Sequence, residues 1–256
     1  MFEYIQIVKK VFLFSILVFL VSLLNKNSLP EKRSILTALY QDPIQEKISK
    51  PPFLVRVKNK QFTVVPLYSY ELSGLVVSHH DTFAWYDYYH RAWGDFLNIR
   101  DICVIWGENI KNESYQAMKF KSGSWTCWYS CQSRAKSNDC RSFKNECLSN
   151  NHLITADKKI RRDLRRVNRG DQVYIKGYLS KYSHGGGDYF RGTSTTRTDR
   201  GNGACETIYI TDFKILKRAN PIWFFIYGSS KLVMIVSLLI IIVEFFIGPA
   251  KFRGEF

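Results

Sequence analysis

The clearest alternation of apolar and polar residues comes late in the chain. Val173, Ile175, Gly177 and Leu179 alternate with Gln172, Tyr174, Lys176 and Tyr178. Ile208, Ile210, Phe213 and Ile215 form a second apolar series, with a phase slip near Thr211 and Asp212. A period of two puts such side chains on one face of a half-buried strand, so both runs predict strands of one small sheet. Further upstream, FLVRV and FTVVPLY flank Lys58, Asn59, Lys60 and Gln61 and predict a hairpin. Pro66 lacks an N–H and belongs at an edge or bulge, while Gly74 in ELSGLVVSH marks a bend. DICVIWG, residues 101–107, reads as a short buried strand. The aromatic segment just before it predicts a loop with a short helix.

The period changes in ITADKKIRRDLRRVNRG, where Ile160, Leu164 and Val167 recur at helical spacing. Thr155 or Asp157 can cap this helix and Gly170 can stop it. Its outer face carries Lys158, Lys159, Arg161, Arg162, Arg165, Arg166 and Arg169. Such a face is either simply solvated or a binding surface for phosphate, from lipid or nucleic acid.

Unbroken apolar runs lie near both ends. Val11–Leu24 is shorter than the roughly 20 residues a spanning helix needs, and it would also serve as a signal-peptide core. Lys9 and Lys10 can snorkel, and NKNSLPEK lacks a small-residue cleavage pattern, which favours an uncleaved anchor. WFFIYGSSKLVMIVSLLIIIVEFFI is long enough to span despite Lys231 and Glu244, which either sit near the two interfaces or form a paired or conducting site inside the membrane. The expected organisation is an anchor (1–24), a tether (25–51), a β domain (52–220) with an insertion at about 108–151, a second transmembrane helix (221–248) and a short basic tail (249–256).

If both runs cross a membrane, residues 25–220 lie on one side with 32 basic and 19 acidic residues, a net charge of +13. That excess attracts lipid headgroups, nucleic acid or acidic glycans. All six cysteines, Cys103, Cys127, Cys131, Cys140, Cys147 and Cys205, fall in this domain. An even, clustered set whose spacings do not fit usual zinc pairs predicts disulfides and an extracytoplasmic location.

The order of strands, an amphipathic helix, then GDQVYIKGYL and TIYITDFKIL resembles an OB-fold, a five-stranded barrel with its helix between strands three and four. The resemblance covers roughly residues 62–216 and implies a mainly β, OB-like barrel with one amphipathic helix, flanked by two transmembrane α-helices. A domain held between membrane helices is also similar in layout to some membrane-anchored ubiquitin ligases. The chain carries no RING-type cysteine and histidine array, so ligase activity is not implied.

Several constellations could carry chemistry. The loop from Ser183 to Ala204 offers Arg191, Arg197 and Arg200, hydroxyls, and amides freed by Gly192, Gly201 and Gly203; in an OB-fold it would lie at the binding face. His79, His80, Asp81 and His90 are the metal candidates, but adjacent strand residues point to opposite faces, so no metal or cofactor is expected. Cys205 could be a nucleophile with a histidine base, although a disulfide with Cys103 or an insertion cysteine is the expected fate. Aromatics interleave with basic residues from Trp85 to Arg100 and around Trp125 and Trp128, as in stacking surfaces for bases.

The resulting expectation is a binding or assembly module rather than an enzyme. Its partners would be membrane lipids and another membrane or envelope protein, with nucleic acid a lesser candidate. The alternatives are a cytoplasm-facing nucleic-acid binder and a membrane-anchored hydrolase using Cys205 or the His79/His80 region.

Overall fold

The computed structural model describes residues 2–184, 190–199, 201 and 204–252. The chain forms two units, residues 1–28 with 219–256, and residues 29–218.

The terminal unit pairs helix α1 (Phe2–Asn25) with the last helix of the chain, Pro221–Phe252. Glu3–Asn25 and Pro221–Phe246 are each long and apolar enough to cross a membrane. At 1.5 Å per residue they would extend about 34 and 39 Å, against about 30 Å of hydrocarbon. Phe19 and Tyr227 stack at 5.0 Å, and Lys26 Nζ lies 3.4 Å from the Tyr227 ring centroid. The hydroxyls of Ser15, Ser22 and Ser230 donate to carbonyls one turn back, which satisfies them within their own helices.

The second unit is a mixed, sheet-dominated domain. Its strands are β1 (Ile44–Lys47), β2 (Phe53–Val57), β3 (Lys60–Asp81), β4 (Asn98–Ile105), β5 (Met118–Gly123), β6 (Thr126–Cys131), β7 (Leu148–Ile154), β8 (Gln172–His184) and β9 (Glu206–Lys217). The helices are α2 (Tyr89–Trp93), α3 (Glu108–Lys111), α4 (Ser137–Arg141) and α5 (Lys158–Leu164), which makes the terminal helix α6. The main sheet runs β1-β3-β4-β7-β9-β8, and β8 pairs back onto β3. All of these pairings are antiparallel except β7 with β9.

Local chemistry explains these elements. The β2–β3 hairpin turns at Lys58, whose φ is 53°, and β3 continues unbroken through 22 residues. Its register against β8 shifts between Pro66 and Tyr68, as a strand residue without an N–H requires. A Cβ on Gly177 would lie 2.0 Å from the Tyr209 carbonyl oxygen, so only glycine lets β8 pass β9 here. The phase slip at Thr211 is a bulge, since Lys176 faces Asp212 while Gly177 faces Ile210. Helix α5 is shorter than its sequence pattern. Asp157 accepts from Ile160 N at 2.8 Å at its start, and Arg100 donates to the carbonyls of Leu164, Arg165 and Val167 at its end.

Tyr70, Leu72, Val104, Leu153, Leu164, Val173 and Ile208 belong to the main core. A second cluster joins Leu75, Val77 and Ile105 to Ile35 and Leu39, so the segment after residue 29 is folded onto the sheet. The insertion contains the β5–β6 hairpin and is cross-linked by Cys103–Cys127 and Cys131–Cys140. Cys147 and Cys205 remain thiols. This corrects the expected disulfide of Cys205 with Cys103 or an insertion cysteine, because the β5–β6 hairpin places Cys127 at Cys103.

Non-reducing peptide mapping is expected to recover Cys103–Cys127 and Cys131–Cys140 as linked peptides, with Cys147 and Cys205 alkylated before reduction. A linked peptide containing Cys205 would contradict this arrangement.

Candidate functional site

Strand β7 brings a run of polar residues, Ser149, Asn150, Asn151 and His152, into the interior. His152 faces Asp101 across the β4–β7 ladder, and Thr207 of β9 across the other. Its Nδ1 lies 2.6 Å from Asp101 Oδ1. A carboxylate can only accept, so the ring donates from Nδ1. Asp101 also receives Asn98 Nδ2 at 2.8 Å and the backbone N–H of Trp125 at 3.0 Å. Burial pushes the Asp101 carboxyl up, but the charge and hydrogen bond of His152 outweigh it and hold Asp101 well below the usual carboxylate range.

Cys205 stands just before β9, on the same side as His152. The loop fixes its backbone: Ser194 N donates to the Cys205 carbonyl at 2.8 Å, and Thr207 is bonded to Thr193 and to the Gly192 carbonyl. Asn150 Nδ2 lies 3.4 Å from Sγ, the thiol donates to the Trp125 carbonyl at 3.6 Å, and His152 lies close enough to act on it electrostatically. Burial raises the thiol, yet the nearby His152 outweighs it, and the net shift is downward. Burial would depress His152, but Asp101 lifts it to about 9, while Arg191 opposes that rise. Arg191 lies 2.8 Å from His152 Nε2; that nitrogen accepts only in the neutral ring, so this contact and the charged ring exclude one another.

These groups line a cavity of about 1090 Å³ with Trp93, Trp125, Trp128 and Tyr129 on its walls. Trp125 occupies the two-residue turn between β5 and β6 at φ 62°, an uncommon conformation for a bulky residue. Its N–H is held by Asp101, and its ring packs against His90 and Trp93 at 4.8 and 4.9 Å.

Of the histidine set, His80 and His90 converge with Asp87, a residue the sequence reading passed over. His80 Nε2 and His90 Nδ1 lie 2.6 and 2.8 Å from the same Asp87 oxygen. The three side chains have the makings of a metal-ligand set. However, Asn98, oriented by Asp101, donates to His90 Nε2 at 3.2 Å, so Nδ1 carries the ring hydrogen and points it at Asp87. As bonded, the group is a hydrogen-bond cluster; its ligand atoms lie within 4.8 Å of one another and would give up those hydrogens on holding a metal. His79 turns to the opposite face toward Arg100, with which it bonds at 3.0 Å; burial and then Arg100 lower it to about 3. Asp81 accepts the N–H of Phe83 in a local turn.

The basic positions divide. Lys158, Lys159, Arg162, Arg165 and Arg166 are exposed, whereas Arg161 donates to the Phe96 and Thr155 carbonyls, and Arg169 is half-buried. Lys158, Arg161, Arg162, Arg165 and Arg166 line a shallow concavity. Arg197 and Arg191 reach the main cavity, but Arg197 is paired with Glu206 at 3.0 Å. Arg200 and Gly203 lie outside the described residues. Trp85, Tyr86, Tyr88, Tyr89 and Trp93 are exposed. No protein-family model matches this chain, and neither a curated protein nor a solved structure does.

Asp101→Asn is expected to drop the His152 titration from about 9 to below the ordinary 6.5, read by histidine NMR. A histidine raised in the folded state contributes stability fully below about 6.5. That contribution is lost as pH rises through about 9. The stability gap between wild type and Asp101→Asn should therefore narrow over that window.

Proposed function

We propose that the protein is a membrane-anchored thiol hydrolase or acyl transferase. The observation that carries the reading is Cys205 beside His152, which is itself hydrogen-bonded to the buried Asp101, at a large cavity. Nucleophile, base and orienting carboxylate in this order is the arrangement acyl transfer requires. Cys205 Sγ attacks the acyl carbon, and its proton passes to His152 Nε2. The same proton then goes to the leaving group as the acyl bond breaks, leaving a thioester. Water, deprotonated by His152, attacks the thioester, and the proton returns to the departing sulfur. The products are the carboxylic acid and the free leaving group. Asn150, which already donates toward Sγ, is the candidate donor to the oxyanion.

The scaffold is read as an OB-like barrel. Support comes from β8 pairing back onto β3, from the parallel β7–β9 pair, and from α5 lying between β7 and β8. The two disulfides support an extracytoplasmic domain anchored by α1 and α6.

A second reading, binding to an anionic lipid surface, is supported by the concavity on α5, which gathers five cations. Reversing Arg162, Arg165 and Arg166 to Glu is expected to weaken binding to phosphatidylglycerol vesicles. Unchanged binding would remove the headgroup role.

The thiol reading is tested with the full-length protein in detergent, on a panel of ester, thioester and peptide anilide substrates. Hydrolysis is expected to fall about 1,000-fold or more in Cys205→Ala and in His152→Ala. Alkylation of Cys205 by iodoacetamide should persist below the ordinary thiol range and shift to higher pH in His152→Ala. An identical pH profile in the two proteins would exclude a working thiol–imidazole pair.

A further inference from the structure

His152 can serve as a base only through Nε2, because its Nδ1 hydrogen is committed to Asp101 at 2.6 Å. In the structure that nitrogen instead accepts an N–H from Arg191 at 2.8 Å. A guanidinium remains charged throughout the working range and cannot take the thiol proton. The ring's one available lone pair is therefore covered, and Arg191 must move before the thiol chemistry can begin.

Arg191 is placed for such a movement. Its backbone is pinned to Tyr182 by a reciprocal pair of hydrogen bonds at 2.8 and 3.1 Å. Its side chain is half-buried, lies 5.1 Å over the Trp125 ring and lines the cavity. A carboxylate entering the cavity would offer the guanidinium two parallel, charge-assisted bonds in place of one bond to a neutral nitrogen.

The cavity wall indicates what accompanies that carboxylate: Trp93, Trp125 and Trp128 line it and suit an apolar flank.

We infer that the site takes acyl compounds that carry an apolar group and a free carboxylate, and that Arg191 both receives the carboxylate and uncovers His152 Nε2 when it does so. This rests on the thiol–imidazole reading above and adds to it a specificity residue and a self-blocked resting state.

The test uses the full-length protein and two alkylating reagents, iodoacetate and iodoacetamide. In each, the thiolate sulfur displaces iodide; the two differ in that only one carries a carboxylate. Rates at Cys205 are measured by mass spectrometry, with Cys147 in the same molecule as reference. In wild type the ratio of iodoacetate to iodoacetamide rates, normalised to Cys147, is expected to exceed that in Arg191→Gln about tenfold. Iodoacetamide alone should react faster in Arg191→Gln, because the lone pair is uncovered. A ratio unchanged by the substitution overturns the inference, as does slower iodoacetamide reaction in the variant. A second measurement needs only wild type: N-acetylglycinate at millimolar concentration should shift the His152 ring nitrogen resonances, and their invariance also overturns it. Failure of the underlying reading looks different, since Cys205 would then show the same pH profile with and without His152.

Discussion

The domain's interior depends on one buried anion. Asp101 sits on a strand whose eight residues are all buried, and a carboxylate there is tolerable only if its lone pairs are filled. Three N–H donors fill them, from His152 on β7, Asn98 on β4 and the backbone of Trp125 in the β5–β6 turn. The anion thus ties β4, β7 and the inserted hairpin to one point, and Asn98 extends the tie to His90 of the aromatic segment.

That tie accounts for features that otherwise look unrelated. The left-handed turn at Trp125 persists because Asp101 holds its N–H and the Cys103–Cys127 bond holds the hairpin at the sheet. Asn98, pulled toward Asp101, settles which nitrogen of His90 carries hydrogen and thereby the state of the His80–Asp87–His90 group. A string of hydrogen bonds thus runs from His80 to Arg191 through the interior, with its directions set by the one carboxylate in the middle.

Where apolar alternation is strong, sequence and structure agree closely. The β2–β3 hairpin, β8 and β9 were legible, even to the bulge at Thr211, because burial on one face leaves a period of two. Strand β7 was not legible, since LSNNHLI places polar residues at interior positions, and polarity reads as surface. For the same reason His152 went unnoticed while His79 and His80, within an apolar run, drew attention. The free state of Cys205 was also hidden, because cysteine counting cannot reveal which sulfur a hairpin delivers to Cys103. The residues that make the site are the ones that break the pattern by which folds are read.

The parallel pairing of β7 with β9 carries a consequence for how the molecule comes into being. Asp101 and His152 are 51 positions apart, and Asn150 and Cys205 another 55, with α5 and β8 synthesised in between. Contacts of such span form late and slowly, after the local hairpins. During synthesis Cys205 emerges last of the three, so no chain that stops short of β9 can hold the assembled cluster. Whatever reactivity the cluster has is confined to molecules in which β9 has paired with β7.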